Sequence, residues 1–467
     1  MKNLREKAGS VRESINNLFH NFIPARVFKL SAPLMLGMMS QVLLNVVDAA
    51  MVGRLGAPEL AAVGLGSLSF LMVALSFESL GTGTQILAAR RWGEKNRWKA
   101  SQVLLNSLLL TVPLGLLLTS LGVFKAIPFI RFLVAEPEVQ NLTATYIRIR
   151  FLCLLFFMIF TSFRGYFDGV GKTHIRMWYM ILVVLLNIIL NYLLIFGKFG
   201  FPRMEVAGAA LATTISVAIG SIYILICGFR DEVLRHHPFF LKSHVHLDVI
   251  NNIVHFSFPR GLRMFFFFGA FLIFFKLVGM IGVNELAASN ILLAILSFAF
   301  MPGMGIGIAG GTLIGQSLGG RKFQAARHYG WASVRLGIVF MGFSGLAFMI
   351  FPREILSVFT PDLAVIEVGV WPLMILGVVQ VFDAVGIVLS QVLEGAGATH
   401  WVLKAEIIIY WLFLLPLTYL FTAVLGWGLV GAWAGIGIMM VVYSVVMALK
   451  FKSDTWLNII AEKESNG

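Results

Sequence analysis

Runs of about 20 apolar residues recur from one end of the chain to the other, and no other feature limits the fold so strongly. A helix rises about 1.5 Å per residue, so each run matches the roughly 30 Å hydrocarbon core of a bilayer. The runs begin near residues 30, 60, 100, 147, 176, 206, 256, 285, 330, 367, 402 and 426, which predicts twelve spans. Lipid offers backbone groups no partner, so a lone span must be a helix. Of 467 residues, 58% are hydrophobic and only 13% charged, against about 25% charged in soluble domains. No basic-tipped short segment with a small-residue cleavage site precedes the first run, which is therefore expected to direct insertion itself. Cys153 and Cys227 both lie in apolar runs and imply neither a disulfide framework nor a thiolate metal site.

A net charge of +13 would suit a nucleic-acid partner, but its placement argues otherwise. One set of loops carries Arg90, Arg91, Lys95, Arg97 and Lys99, then Arg164, Lys172 and Arg176, then Arg230, Arg235 and Lys242, then Arg321, Lys322 and Arg327. The basic N-terminus and the C-terminal lysines fall on the same side. The opposite side has only Arg54, Lys125, Arg131, Arg148, Arg150, Lys198, Arg203 and Arg353. This asymmetry places both termini in the cytoplasm, with no nucleic-acid role. Residues 1–28 form a topogenic tail or an amphipathic helix carrying Leu18, Phe19, Phe22 and Ile23. His236, His237, His244, His246 and His255 cluster at mid-chain, but no cysteine or carboxylate set completes a metal site there.

The chain also repeats itself. Adding 226 takes Pro33 to Pro259, GAPELAA at 56–62 to GVNELAA at 282–288, and DGVGKTH at 168–174 to EGAGATH at 394–400. One gapless offset across these motifs implies an internal duplication. Six spans per copy is an even number, so both copies share one orientation, as in transporters built from parallel repeats. The expected organisation is a cytoplasmic segment 1–28, an N-lobe 29–228, a cytoplasmic linker 229–255, a C-lobe 256–450 and a cytoplasmic tail 451–467.

Polar residues inside spans are costly and mark function by default. In the first span, Gln41, Asn45 and Asp48 share a helical face beyond Pro33. The fifth span carries Asn187 and Asn191 four apart, and the sixth has Thr213 about two turns in. The alternating direction of the spans sets Asp48, Asn191 and Thr213 at one depth. A carboxylate, amide oxygens and a hydroxyl form a hard oxygen set suited to Na⁺ or a shared proton, the alternative being a structural polar cluster. In a low-dielectric site Asp48 favours a bound proton or Na⁺. In the tenth span Gln380 and Asp383 sit three apart, and the same cost argument marks Asp383. Glu78 has Ser76 and Thr82 as neighbouring partners. Pro33 either bends its helix or occupies the harmless first turn. At the places matching Asn45 and Asp48, the second half has Phe271 and Phe274. Arg260 and Arg263 are expected near the cytoplasmic end of the seventh span, where they snorkel, the alternative for Arg263 being a pairing with Asp383 or Glu394. Gly303, Gly307, Gly311 and Gly315 form a stripe for close helix approach.

The two six-helix halves, the proline–asparagine–aspartate series of the first span, the ELAA starts and the GVGKTH and GAGATH turns resemble the multidrug and toxic compound extrusion (MATE) transporters. NYLLIFGKFG at 191–200 resembles their multidrug-efflux branch. The resemblance implies an all-α integral membrane protein of twelve transmembrane helices in two parallel six-helix repeats. It implies an antiporter rather than an enzyme, driven by H⁺ or Na⁺ and exporting bulky hydrophobic or cationic organic compounds as the lobes rock. On that resemblance Asp48, Asn187, Asn191 and Thr213, with Asn45, are the ion-coupling set, where Na⁺ would be the only metal. Asp383 and Gln380 serve the substrate or C-lobe coupling, and Pro33 is a hinge. Some efflux-type relatives have a glutamate in the seventh span, where this chain reads MFFFF at 264–268. The expected partners are small organic substrates and membrane lipids, with no cofactor. The expected state is a monomer in the plasma membrane, the inner membrane if prokaryotic. A lipid or lipid-linked saccharide flippase is the alternative; twelve spans rather than fourteen, and few cationic residues for the cavity, count against it. A membrane enzyme would need convergent nucleophiles or metal ligands within the spans, whereas the histidines lie mainly in loops.

Overall fold

The computed structural model describes residues 24–133, 137–236 and 245–457. Among the described residues, twelve helices are long and apolar enough to cross a membrane. In chain order they are α1 (Ala25–Val52), α2 (Ala57–Gly93), α3 (Arg97–Leu133), α4 (Pro137–Val170), α5 (Thr173–Phe196) and α6 (Glu205–Arg230). The second series is α7 (Leu247–Gly279), α8 (Val283–Gly319), α9 (Phe323–Ile350), α10 (Leu363–Gly395), α11 (Thr399–Val424) and α12 (Gly428–Lys452). Local chemistry sets several ends. Gly197 takes φ 64° and closes α5 by donating its N–H to the Leu193 carbonyl, while Asp362 caps α10 by accepting from the Ala364 N–H at 2.9 Å. Pro416 lies in α11 between two wide turns, Tyr410–Leu414 and Leu420–Val424, where the backbone accommodates the missing donor.

α4 and α7 begin at Pro137 and Leu247, well before the apolar runs they contain. A helix bonds its own backbone whether or not its side chains are apolar, so polar turns extend both. This changes the place of several charges. Arg150 lies inside α4 rather than in a loop. Arg164 and Arg176, expected as loop charges, are buried inside α4 and α5. Arg176 pairs with Asp168 at 3.0 Å, and Arg164 pairs with Glu78 at 2.8 Å. Of the neighbours expected for Glu78, Ser76 donates its hydroxyl to the Met72 carbonyl instead. Arg263 is buried along α7 instead of snorkelling at its end. Pro33 is the ninth residue of α1, not a first-turn residue, and the helix runs on through it.

The chain forms two compact units, and the divisions fall inside α1 and α7: one unit is Leu36–Phe265, the other the residues up to Met35 with Phe266 onward. In the first unit, a Cβ on Gly165 would lie 2.3 Å from the Gly81 carbonyl oxygen, and one on Gly169 2.8 Å from that of Gln85, so α2 and α4 cross backbone to backbone. In the second, a Cβ on Gly395 would lie 2.3 Å from the Gly311 Cα, and one on Gly307 2.7 Å from the Gln391 Cβ. Each position in the second crossing is its counterpart in the first plus 226. Gly307 and Gly311 of the expected glycine stripe therefore lie in the α8–α10 packing surface, because only small residues permit such an approach, while Gly303 lies nearest Met341 of α9. The His246 backbone N–H donates to Asn106 Oδ1 at 2.9 Å. His237, His244, residues 1–23 and the end of the tail lie outside the described residues.

Candidate ion-coupling site

Within the unit Leu36–Phe265, α1, α5 and α6 bring four of the expected side chains into one hydrogen-bonded chain. Asn191 Nδ2 donates to Asp48 Oδ1 at 2.5 Å and to Asn187 Oδ1 at 2.8 Å. Asn187 Nδ2 donates to Thr213 Oγ1 at 2.9 Å, and the Thr213 hydroxyl donates to the Ala209 carbonyl at 3.1 Å. The spacing of four along α5 is what lets its two amides meet. Asn187 and Asn191 are 0% and 1% exposed, whereas Asp48 is half-buried. One turn along each helix, Val52, Ile195 and Ala209 join α4's Ile147 in an apolar cluster that floors the polar layer. Asn191 Oδ1 is buried with no hydrogen-bond partner. Leaving such an oxygen unmade costs about 1–3 kcal/mol, and a cation or an acidic proton beside Asp48 is what would satisfy it.

Asn45 is exposed and stands apart from this chain, accepting from Gln41 Nε2 at 3.4 Å. Gln380 and Asp383 belong to the other unit, both buried on α10. Neither amide atom of Gln380, nor Asp383 Oδ2, has a hydrogen-bond partner. The equivalents of Asn45 and Asp48, Phe271 and Phe274, join an aromatic run from Phe267 to Trp433, with Phe274–Trp433 centroids 5.8 Å apart. Among the described residues no group of three His, Cys, Asp or Glu is placed to hold a metal ion.

Two features escaped sequence reasoning. Glu78 and Arg164 pair between α2 and α4, and the signal for a buried charge there was Arg164 and Asp168 four apart in the otherwise uncharged stretch 151–170. Arg150 sits with its Cζ 4.1 Å from the Phe70 ring centroid, on the turn of α4 whose Ile147, Ile149 and Phe151 pack into the cluster with Val52.

Twelve spans in two same-sense repeats, with polar side chains buried inside the spans, define a multi-pass membrane protein of the secondary-transporter class. The MatE family model matches residues 33–193 and 259–420, one match per repeat, and the chain belongs to that family, the MATE transporters. It is 28% identical over 451 residues to a probable multidrug resistance protein NorM of Thermotoga maritima, covering 94% of this chain and 96% of that one. It is 26% identical over 434 residues to the multidrug resistance protein NorM of Burkholderia vietnamiensis, covering 91% and 93%. A structure described as the outward-facing conformation of a multidrug resistance MATE family transporter superposes with a TM-score of 0.84, at 25% identity, over 92% of this chain and 95% of that one.

Proposed function

We propose that this chain is a cation-coupled antiporter, driven by H⁺ or Na⁺, that exports bulky hydrophobic or cationic organic compounds by alternating access, with rocking of its two lobes. The observation that carries this reading is the hydrogen-bonded Asp48–Asn191–Asn187–Thr213 chain, in which all but Asp48 are buried. Asp48 is the one member that changes charge. An arriving proton or Na⁺ neutralises it and changes what Asn191 can donate to, so occupancy alters the hold of α5 on α1. Pro33 leaves α1 without one backbone hydrogen bond, making that helix the place where the change becomes a bend. Asp383 and Gln380 offer a buried charge and unmade hydrogen bonds to a cationic substrate or a second proton. The multidrug names of the relatives favour drug-like substrates over the flippase alternative. Both termini are cytoplasmic in this reading, and the unit of function is a monomer.

The test is export of a hydrophobic cation from proteoliposomes under an imposed pH or Na⁺ gradient. Asp48→Asn is expected to reduce gradient-driven export to the level of protein-free vesicles. Export unchanged in that variant would sink the ion-coupling role of Asp48.

A further inference from the structure

We infer that Arg150 is the internal counter-cation of Asp48: it takes over the carboxylate's charge when the coupling ion leaves and moves aside when an ion arrives. This rests on the reading of Asp48 as the coupling acid.

The guanidinium is permanently charged and carries five N–H donors in a planar fork. Here it lies over Phe70, its Cζ 4.1 Å from the ring centroid, and its Nε and Nη1 are buried without a hydrogen-bond partner. A ring face attracts the charge but leaves in-plane N–H groups unmet, so this is a resting place rather than a satisfied site. The group that would satisfy it stands at the same level. Ile147, Ile149 and Phe151 of α4 pack into the apolar cluster that includes Val52, Ile195 and Ala209, one turn from Asp48, Asn191 and Thr213. The Thr214 hydroxyl donates to the Ile149 carbonyl at 3.1 Å, tying this turn of α4 to α6.

Arg150 is a permanently charged side chain in the same unit as Asp48, on the turn of α4 that packs onto this layer. Among the described residues, α5 and α6 present the amides of Asn187 and Asn191 and the Thr213 hydroxyl, and α2 presents Phe70 and Ser67. Titratable groups of the same layer are Tyr146, in the apolar cluster with its hydroxyl 2.8 Å from Ser67 Oγ, Cys153, one turn along α4 beside Arg150, and Tyr179 of α5 beside Cys153. Two cations therefore compete for one carboxylate. With Asp48 neutralised, Arg150 rests on Phe70; with Asp48 ionised, the fork has an acceptor. Such a tethered competitor weakens ion binding and speeds release, since the empty acid is never left as an unpaired charge.

The experiment uses the full chain in proteoliposomes and measures export of tetraphenylphosphonium against the concentration of the driving ion. Arg150→Met is expected to lower the half-saturating H⁺ or Na⁺ concentration at least tenfold and to slow maximal turnover. Arg150→Lys, which keeps the charge, should return the midpoint towards wild type. Arg150→Gln should give the same tenfold shift if the methionine variant fails to reach the membrane. In an Asp48→Asn background, where export is at the level of protein-free vesicles, adding Arg150→Met should restore none of it. A midpoint unchanged in Arg150→Met and Arg150→Gln, or ion-driven export regained in the double variant, overturns the proposal. Ion dependence that survives Asp48→Asn alone would instead overturn the reading beneath it.

Discussion

Asn191 donates at both ends of the polar chain, to Asp48 and to Asn187, while Thr213 sits at its far end. Asn191→Leu is therefore expected to abolish gradient-driven export as fully as Asp48→Asn, whereas Thr213→Val should weaken ion affinity only severalfold, read from the half-saturating ion concentration. The Arg176–Asp168 pair behaves differently, because both side chains are buried and neither needs to move. Removing one partner of such a pair leaves an uncompensated charge and costs about 3–5 kcal/mol. Arg176→Met should accordingly lower thermal stability in detergent sharply, and adding Asp168→Asn should restore most of the loss. Asp48, Asn187, Asn191 and Thr213 were legible as candidates because each is expensive in lipid on its own account. Arg164 and Arg176 were not, since a basic residue near a span end reads as topogenic until its acid is found beside it.

At the scale of the helix, glycine decides contact and proline decides bending. A Cβ on Gly395 would meet the Gly311 backbone at 2.3 Å, while Gly64 on α2 has nothing within 4 Å. Gly395→Ala should destabilise by about 1–3 kcal/mol through overpacking. Gly64→Ala should be neutral or stabilising by about 0.5–1 kcal/mol, from lower backbone entropy in the unfolded chain. Thermal unfolding of the two variants side by side checks both signs. In α1, Pro33→Ala supplies the donor that the helix lacks. It should straighten and stiffen α1, slowing export while leaving substrate binding near wild type, a contrast seen by comparing equilibrium binding with transport rate.

Across the whole molecule the two halves share a scaffold but not a chemistry. Both cross at glycines related by one offset, yet the N-terminal half carries the half-buried Asp48 on α1, where the C-terminal half has Phe274, and the C-terminal half buries Asp383 on α10. If the two acids divide ion and substrate between them, Asp383→Asn should cut export of cationic compounds while sparing neutral ones, and Asp48→Asn should remove both; a panel of matched cationic and neutral substrates separates them. By itself the sequence determined the number of spans, the duplication, the family and the polar set around Asp48, because the cost of placing a residue in lipid belongs to that residue alone. Tertiary structure decided what no single segment contains: that Glu78 meets Arg164, that Pro33 lies within α1 rather than at its start, and that Arg150 stands inside α4 beside Phe70. Those are properties of pairs of helices, and a pair interaction exists only once packing has chosen which helices are neighbours.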